Sequence, residues 1–186
     1  LISSFSYSES ISTFMFSHKH GYVLEKTIKA ISQCSNDSRN PSINYILDIL
    51  ENILEKNVPV IEPHIPTVLE EFYARFKRIK DNLKNCKRDL NILSRIGQVM
   101  IDRSVTQKRP ETKSVCSKVI SLLVPFLRSQ HRLSDEVKCD ILDTIHALAS
   151  LVDDMSEHVG LMSRLFVPGN GMFTRNSRTK LVKLFV

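Results

Sequence analysis

The chain has 186 residues, 42% of them hydrophobic and 25% charged, with a formal net charge of +6. That supplies enough apolar side chains for a buried core, which excludes a disordered polyampholyte, while five glycines, no tryptophan and almost no strand-type alternation point to an all-α fold. Cys34, Cys86, Cys116 and Cys139 are far apart and form no C-x-x-C pair, so they read as buried free thiols and not as a zinc or disulfide framework.

In chain order, residues 1–21 are serine-rich, with Phe5, Tyr7, Phe14 and Phe16 on no helical face, and read as an irregular segment. His18 and His20 lack a third ligand for a metal. A short helical pattern follows with Val23, Leu24, Ile28 and Ile31, then a turn signal over 34–41. Ser42 stands where an N-cap belongs, ahead of Ile43, Ile46, Leu47, Leu50, Ile53 and Leu54 on one helix face. Residues 22–57 thus form a first helical hairpin.

Pro59, Pro63 and Pro66 interrupt the chain, and Pro66 suits the first turn of a helix, where a missing N–H costs nothing. That helix carries Val68, Leu69, Phe72, Tyr73, Phe76 and Ile79; a charged turn leads to another with Leu90, Leu93, Ile96, Val99 and Met100. The second hairpin is 63–103. Gly97 lies inside its second helix, about 1 kcal/mol worse than alanine there, which the close approach of a neighbouring helix would explain. Residues 104–111 read as a loop.

The third hairpin, 112–155, is the clearest. Val115, Cys116, Val119, Ile120, Leu122, Leu123, Phe126 and Leu127 step at helical spacing. After a polar break, Val137, Ile141, Leu142, Ile145, Leu148, Ala149 and Val152 do the same. Ser134 is the expected N-cap, and Asp135 and Glu136 put negative charge on the first turn, where the helix dipole favours it. A proline in the first helix, Pro125, an acid opening the second, Asp135, and the Val137-Lys138 pair together resemble a HEAT repeat. First helices start near Tyr22, His64, Lys113 and Glu157, a spacing of about 42 to 49 residues, close to the roughly 40–47 of such repeats. The expected architecture is an α-solenoid of HEAT-like hairpins, with 156–186 the start of a further, truncated repeat; an irregular helical bundle is the alternative. The start at Leu1 and the helical pattern still running at Val186 suggest a piece of a longer protein. No apolar run reaches bilayer length and no signal peptide is visible, so no membrane role is expected.

Charge comes in blocks. Arg75, Lys77, Arg78, Lys84, Lys87 and Arg88 crowd one inter-helix turn, and from His158 onward there is no acid, only Arg164, Arg175, Arg178, Lys180 and Lys183. Such patches attract RNA phosphates without regard to base sequence, and solvated helix faces produce similar runs. No histidine sits in a Ser/Cys–Asp arrangement, and Pro168-Gly169-Asn170-Gly171 lacks the lysine of a phosphate loop. No enzyme, cofactor, metal or small-molecule substrate is expected.

Near the C-terminus, Leu165-Phe166 followed by Arg175-x-Ser177-Arg178-x-x-Leu181-x-x-x-Phe185 resembles the family of the very large HEAT-repeat component 20 of the small-subunit processome, also called down-regulated in metastasis, which accompanies the U3 small nucleolar RNP. The resemblance covers 37 to the end, leaves out the serine-rich start, and is interrupted by the longer turn 167–173. It implies a non-catalytic scaffold of the nucleolus, acting in small-subunit assembly and pre-18S rRNA processing, with processome proteins and pre-ribosomal or U3 RNA as partners. Under that implication Arg75, Lys77, Arg78, Lys84, Lys87, Arg88, Arg175 and Arg178 are the candidate RNA or partner contacts. Arg178 has a rival role as a structural cap or ion-pair residue. The alternative function is a HEAT-type protein-binding adaptor for transport or trafficking, without RNA contact.

Overall fold

A computed structural model describes residues 21–34, 41–56, 58–79, 86–128, 133–153, 155–166 and 173–184. Among these residues every regular element is helical, as the all-α expectation requires. The chain divides into two compact units, Leu1–Ile79 and Lys80–Val186. The division falls inside the expected hairpin 63–103, so its two helices belong to different units.

In the first unit, α1 is Gly21–Lys29, α2 Pro41–Lys56, α3 Val58–Ile61 and α4 Ile65–Ile79, with a 3-10 turn at Glu62–His64 before α4. Pro41 is itself the first residue of α2, which moves Ser42 inside the first turn and removes it from the expected N-cap position. The stretch expected to be broken by prolines is instead a run of short helical turns. Pro59 and Pro63 each occupy an early position of such a turn, where no N–H is required. Leu24, Ile28 and Ile31 of α1 and its following turn, and Val68, Leu69, Phe72 and Phe76 of α4, are buried. Their three- and four-residue steps define single faces, and α1 packs along α4. Phe72 and Phe76 stack with ring centroids 6.2 Å apart, an offset geometry that aromatic quadrupoles favour.

The second unit holds α5 (Lys87–Asp102), α6 (Val105–Lys108), α7 (Glu111–Leu123), α8 (Asp135–Ala149), α9 (Ser156–Ser163) and α10 (Arg175–Lys183). The expected loop 104–111 contains α6, because Val105 is apolar and fully buried and pulls the segment into the core. Helix α7 tightens to a 3-10 turn at Val124–Leu127, where Pro125 has no N–H to continue the α-helical ladder. Ser134 accepts a hydrogen bond from the Val137 N–H at 3.4 Å in extended conformation, so the expected N-cap of α8 is present.

Helix α8 is the centre of this unit, packed against α5, α7 and α10. That is why it buries not only Val137, Ile141, Leu142, Ile145 and Leu148 but also Lys138 and Thr144. Its contacts fix helix directions. Along α5, Lys87 meets Glu136, the Leu90 carbonyl meets the Thr144 hydroxyl at 3.0 Å, and Gly97 meets Ala147. The numbers rise together, so α5 and α8 run parallel. Along α10, Thr174 and Ser177 meet Asp135, Asn176 meets Cys139 and Lys180 meets Asp143, again parallel. Helices α7 and α9 repeat the relation: Lys113 pairs with Asp153 at 2.6 Å and Ser117 bonds His158 at 2.9 Å. Within this unit α8 thus lies parallel to both α5 and α10, and α9 follows the direction of α7. The ties joining α8 to α10 and α7 to α9 span 37 to 42 residues of sequence.

Candidate nucleic-acid interface

The eight candidate basic residues meet different fates. Arg75 is on the inward face of α4, only 2% exposed, and donates from Nη1 to the Cys34 carbonyl at 2.8 Å. Arg78, one turn on, donates to the same carbonyl. Cys34 ends the turn that follows α1, and its own N–H is bonded back to Ala30. The two guanidinium groups therefore satisfy a carbonyl at the electronegative end of a helical segment, where cations are favoured. Arg75 is a buried structural residue and not the RNA contact that its charge suggested. Arg78 keeps an exposed side chain with part of its donor capacity committed. Lys77 points outward on the same helix.

Lys84 lies outside the described residues. Lys87 opens α5 and pairs with Glu136, which raises the lysine pKa through that hydrogen bond and charge. Arg88 is half-buried beside it and already engaged within the fold. The basic turn read from the sequence is therefore not displayed as a single set of free cations.

Arg175 and Arg178 are exposed on α10. With Phe173, Thr179, Val182 and Lys183 they line an open groove of about 470 Å³. Phe173 lies against Lys138, whose ammonium is 5.4 Å from the ring centroid, within cation–π range. Sequence reading singled out the two arginines but missed Phe173, Val182 and Lys183 as their companions. Helical spacing of 175, 178, 179, 182 and 183 was the available signal.

The groove is held from behind by Asp135, another residue whose role was missed. Its carboxylate accepts from the Ser177 hydroxyl and, at 2.6 Å, from the Thr174 hydroxyl, and so sits across the first turn of α10 from the start of α8. Burial pushes the Asp135 carboxyl up, but the hydroxyls of Ser177 and Thr174, the Thr174 backbone and the Lys138 charge outweigh it, and the pKa is lowered. On the far turn Lys180 pairs with Asp143, which raises the lysine's pKa. The two acids that face α10 thus both find partners on it, Asp135 in two hydroxyls and Asp143 in an ammonium. Asp140, between them on α8, is different: burial raises its carboxyl pKa and one oxygen lacks a hydrogen-bond partner among the described residues.

Among the described residues no group of three or more His, Cys, Asp or Glu stands together to hold a metal ion, and no helix is long and apolar enough to cross a membrane. The four cysteines are free and buried, and burial drives the Cys116 thiol up to about 12. His158, read as one of several unassigned histidines, is buried with Ser117 and Ser121 of α7 at its two ring nitrogens, 2.9 and 3.4 Å away.

Among the described residues these features define an all-helical fold with parallel helices tied by side-chain bonds and a groove on α10 lined by basic side chains. The family model described as U3 small nucleolar RNA-associated protein 20, N-terminal, matches residues 1–186, and the chain belongs to that family. The match runs through the serine-rich start that the residue-level resemblance left out. No curated protein and no solved structure matches the chain.

Proposed function

We propose that this chain is a segment of an α-solenoid scaffold that acts in ribosome biogenesis, in the nucleolar particle that processes the small-subunit pre-ribosomal RNA. Family membership supports the process, since the family is that of a U3 small nucleolar RNA-associated protein. The single observation that carries the architecture is the recurrence of parallel ties between like helices. One helix row is stitched by Asp135–Ser177 and Asp143–Lys180, the other by Lys113–Asp153 and Ser117–His158, all about one repeat apart. A hairpin that cannot bury its own apolar stripe gains a core by stacking on the next, and the row offers long surfaces to several partners.

Its work in this reading is assembly without chemistry, with processome proteins and pre-ribosomal or U3 RNA as partners. Lys77, Arg78, Arg175 and Arg178 are the exposed cations that offer themselves to phosphate. A second reading, a protein-binding adaptor, is favoured by the engagement of Arg75, Lys87 and Lys180 with the protein itself.

One experiment separates the two. The tagged full-length protein is sedimented from cell extract with and without ribonuclease. Migration with large, nuclease-sensitive particles that contain pre-ribosomal RNA is expected. A small, nuclease-insensitive species would sink the scaffold reading and leave the adaptor.

A further inference from the structure

Three acids and two lysines meet where α8 packs against α5 and α10. Lys87 of α5 pairs with Glu136, and Lys180 of α10 pairs with Asp143, so each neighbouring helix commits one ammonium to an acid of α8. Asp140 follows Glu136 by four residues and precedes Asp143 by three, the spacing at which like charges on a helix repel. It is the acid left over. Its side chain is half-buried, and its Oδ2 oxygen is sealed from solvent with no hydrogen-bond partner among the described residues. The Thr144 hydroxyl, one turn on, is directed to the Asp140 and Leu90 carbonyls and not to the carboxylate. The charges that bear most on Asp140 are Lys87 from α5, Lys180 from α10, and Glu136 and Asp143 from α8 itself; α7, also packed on α8, supplies none of them. Burial raises the Asp140 carboxyl pKa, the two acids add to the rise, and the two lysines oppose it without cancelling it.

We propose that Asp140 is a proton-sensitive release at the junction of α5, α8 and α10: neutral, it lets the junction close, and ionised, it competes for Lys87 and Lys180 and loosens the packing of α5 and α10 on α8. An ionised oxygen sealed from water costs more than a neutral one, because nothing replaces its lost hydration. Two ammonium groups cannot balance three carboxylates, so the ionised set keeps one uncompensated charge whichever acids the lysines hold. A proton on Asp140 removes both the excess and the repulsion along α8. The lysines are able to move between acids, since the Lys87 side chain is 55% exposed and that of Lys180 31%. The folded chain holds the Asp140 proton more tightly than the unfolded one. Between the unfolded value, about 3.9, and the folded one, the folded state therefore binds more protons and stability falls as pH rises. Asp135, on the same helix, has the opposite sign, since its pKa is lowered and its contribution fades on the acid side. This device goes beyond the scaffold reading and needs no partner.

The test is amide hydrogen exchange in the full-length protein, read by mass spectrometry on peptides that cover α8 and α10, with each variant compared with the unaltered chain at the same pH. Asp140→Asn keeps the shape of the side chain and removes its charge. Protection in this variant is expected to equal that of the unaltered chain near about pH 4 and to exceed it several-fold as the pH rises toward neutrality. A carboxylate kept only for a structural bond would give the reverse, lower protection in Asp140→Asn at every pH. Asp143→Asn is the independent variant. It frees Lys180 for Asp140, so the pH-dependent gain brought by Asp140→Asn is expected to shrink in that background. An Asp140→Asn effect that is negative, or that does not change with pH, overturns the proposal. A gain left unchanged by Asp143→Asn overturns it too, since the lysines would then not be shared among the acids.

Discussion

Gly97 on α5 faces Ala147 on α8 so closely that a Cβ built on the glycine would lie 2.8 Å from the Ala147 Cβ and 3.2 Å from its carbonyl carbon. Neither atom belongs to a flexible side chain, so the contact can only be relieved by moving a helix. The glycine costs about 1 kcal/mol of helix propensity, and that cost is offset by the fit between two parallel helices. Gly97→Ala is expected to destabilise the second unit by up to about 2 kcal/mol, the overpacking penalty less the propensity gain. Ala147→Gly should rescue part of that loss, so a double-mutant cycle in urea would show coupling between the two sites. Additive effects would mean that the helices do not touch there.

Asp135 and Ser177 tie the start of α8 to the start of α10. The Asp135 pKa is lowered in the folded chain. In the window between its folded and unfolded values the unfolded state binds more protons, so stability rises with pH there. The contribution is complete above the unfolded value, about 3.9, and fades as pH falls through the folded one. Asp135→Asn should therefore remove an acid-side dependence of stability, measurable by thermal melts between neutral pH and pH 3. Ser177→Ala should remove part of the same component, and an unchanged acid limb in both variants would dismiss the tie.

Arg75 and Lys77 are two residues apart on α4 but should behave oppositely. Arg75→Ala leaves the Cys34 carbonyl without one of its charged donors and opens a cavity on the buried face of α4. A loss of about 2–3 kcal/mol is expected, in line with hydrogen bonds that involve a charged group. Lys77→Ala is exposed and should change stability by no more than about 0.5 kcal/mol. Denaturant midpoints of the two variants decide the matter. Equal effects would return Arg75 to the surface.

Ser104 follows the end of α5 with φ 52, in the left-handed region. Its N–H bonds the Ile101 carbonyl at 3.1 Å, closing the helix in the manner that usually employs glycine. A side chain in this conformation costs about 1–2 kcal/mol, part of which glycine repays to the unfolded state as chain entropy. Ser104→Gly is expected to raise stability by about 1 kcal/mol, or several degrees in melting temperature. A decrease would show that the serine hydroxyl matters more than the backbone.

What could be read directly from the sequence was local. Helix positions followed from apolar residues three and four apart, the start of α8 from Ser134 and Asp135, and the need for a close helix neighbour from Gly97 alone. Each of these depends on chemistry within about one turn. Short-range reading failed where a local signal was ambiguous. Ser42 and Pro41 both suit a helix start, and the proline took it; Val105 looked like loop until its burial drew 105–108 into a helical turn.

The tertiary structure alone decided which charges remain available. Arg75, Arg78, Lys87 and Arg178 carry the same charge in the sequence, and nothing adjacent to them predicts their separate roles. The first two meet a carbonyl more than forty residues earlier, and Lys87 meets an acid forty-nine residues later. Arg178 is turned with Arg175 and Phe173 toward a groove because Ser177 and Lys180 are drawn to α8. Sequence determines the sign of a charge and the face of the helix on which it lies. Only packing determines whether that face meets a carbonyl, a carboxylate or solvent, because electrostatic pairing depends on distances between segments that the chain brings together by folding.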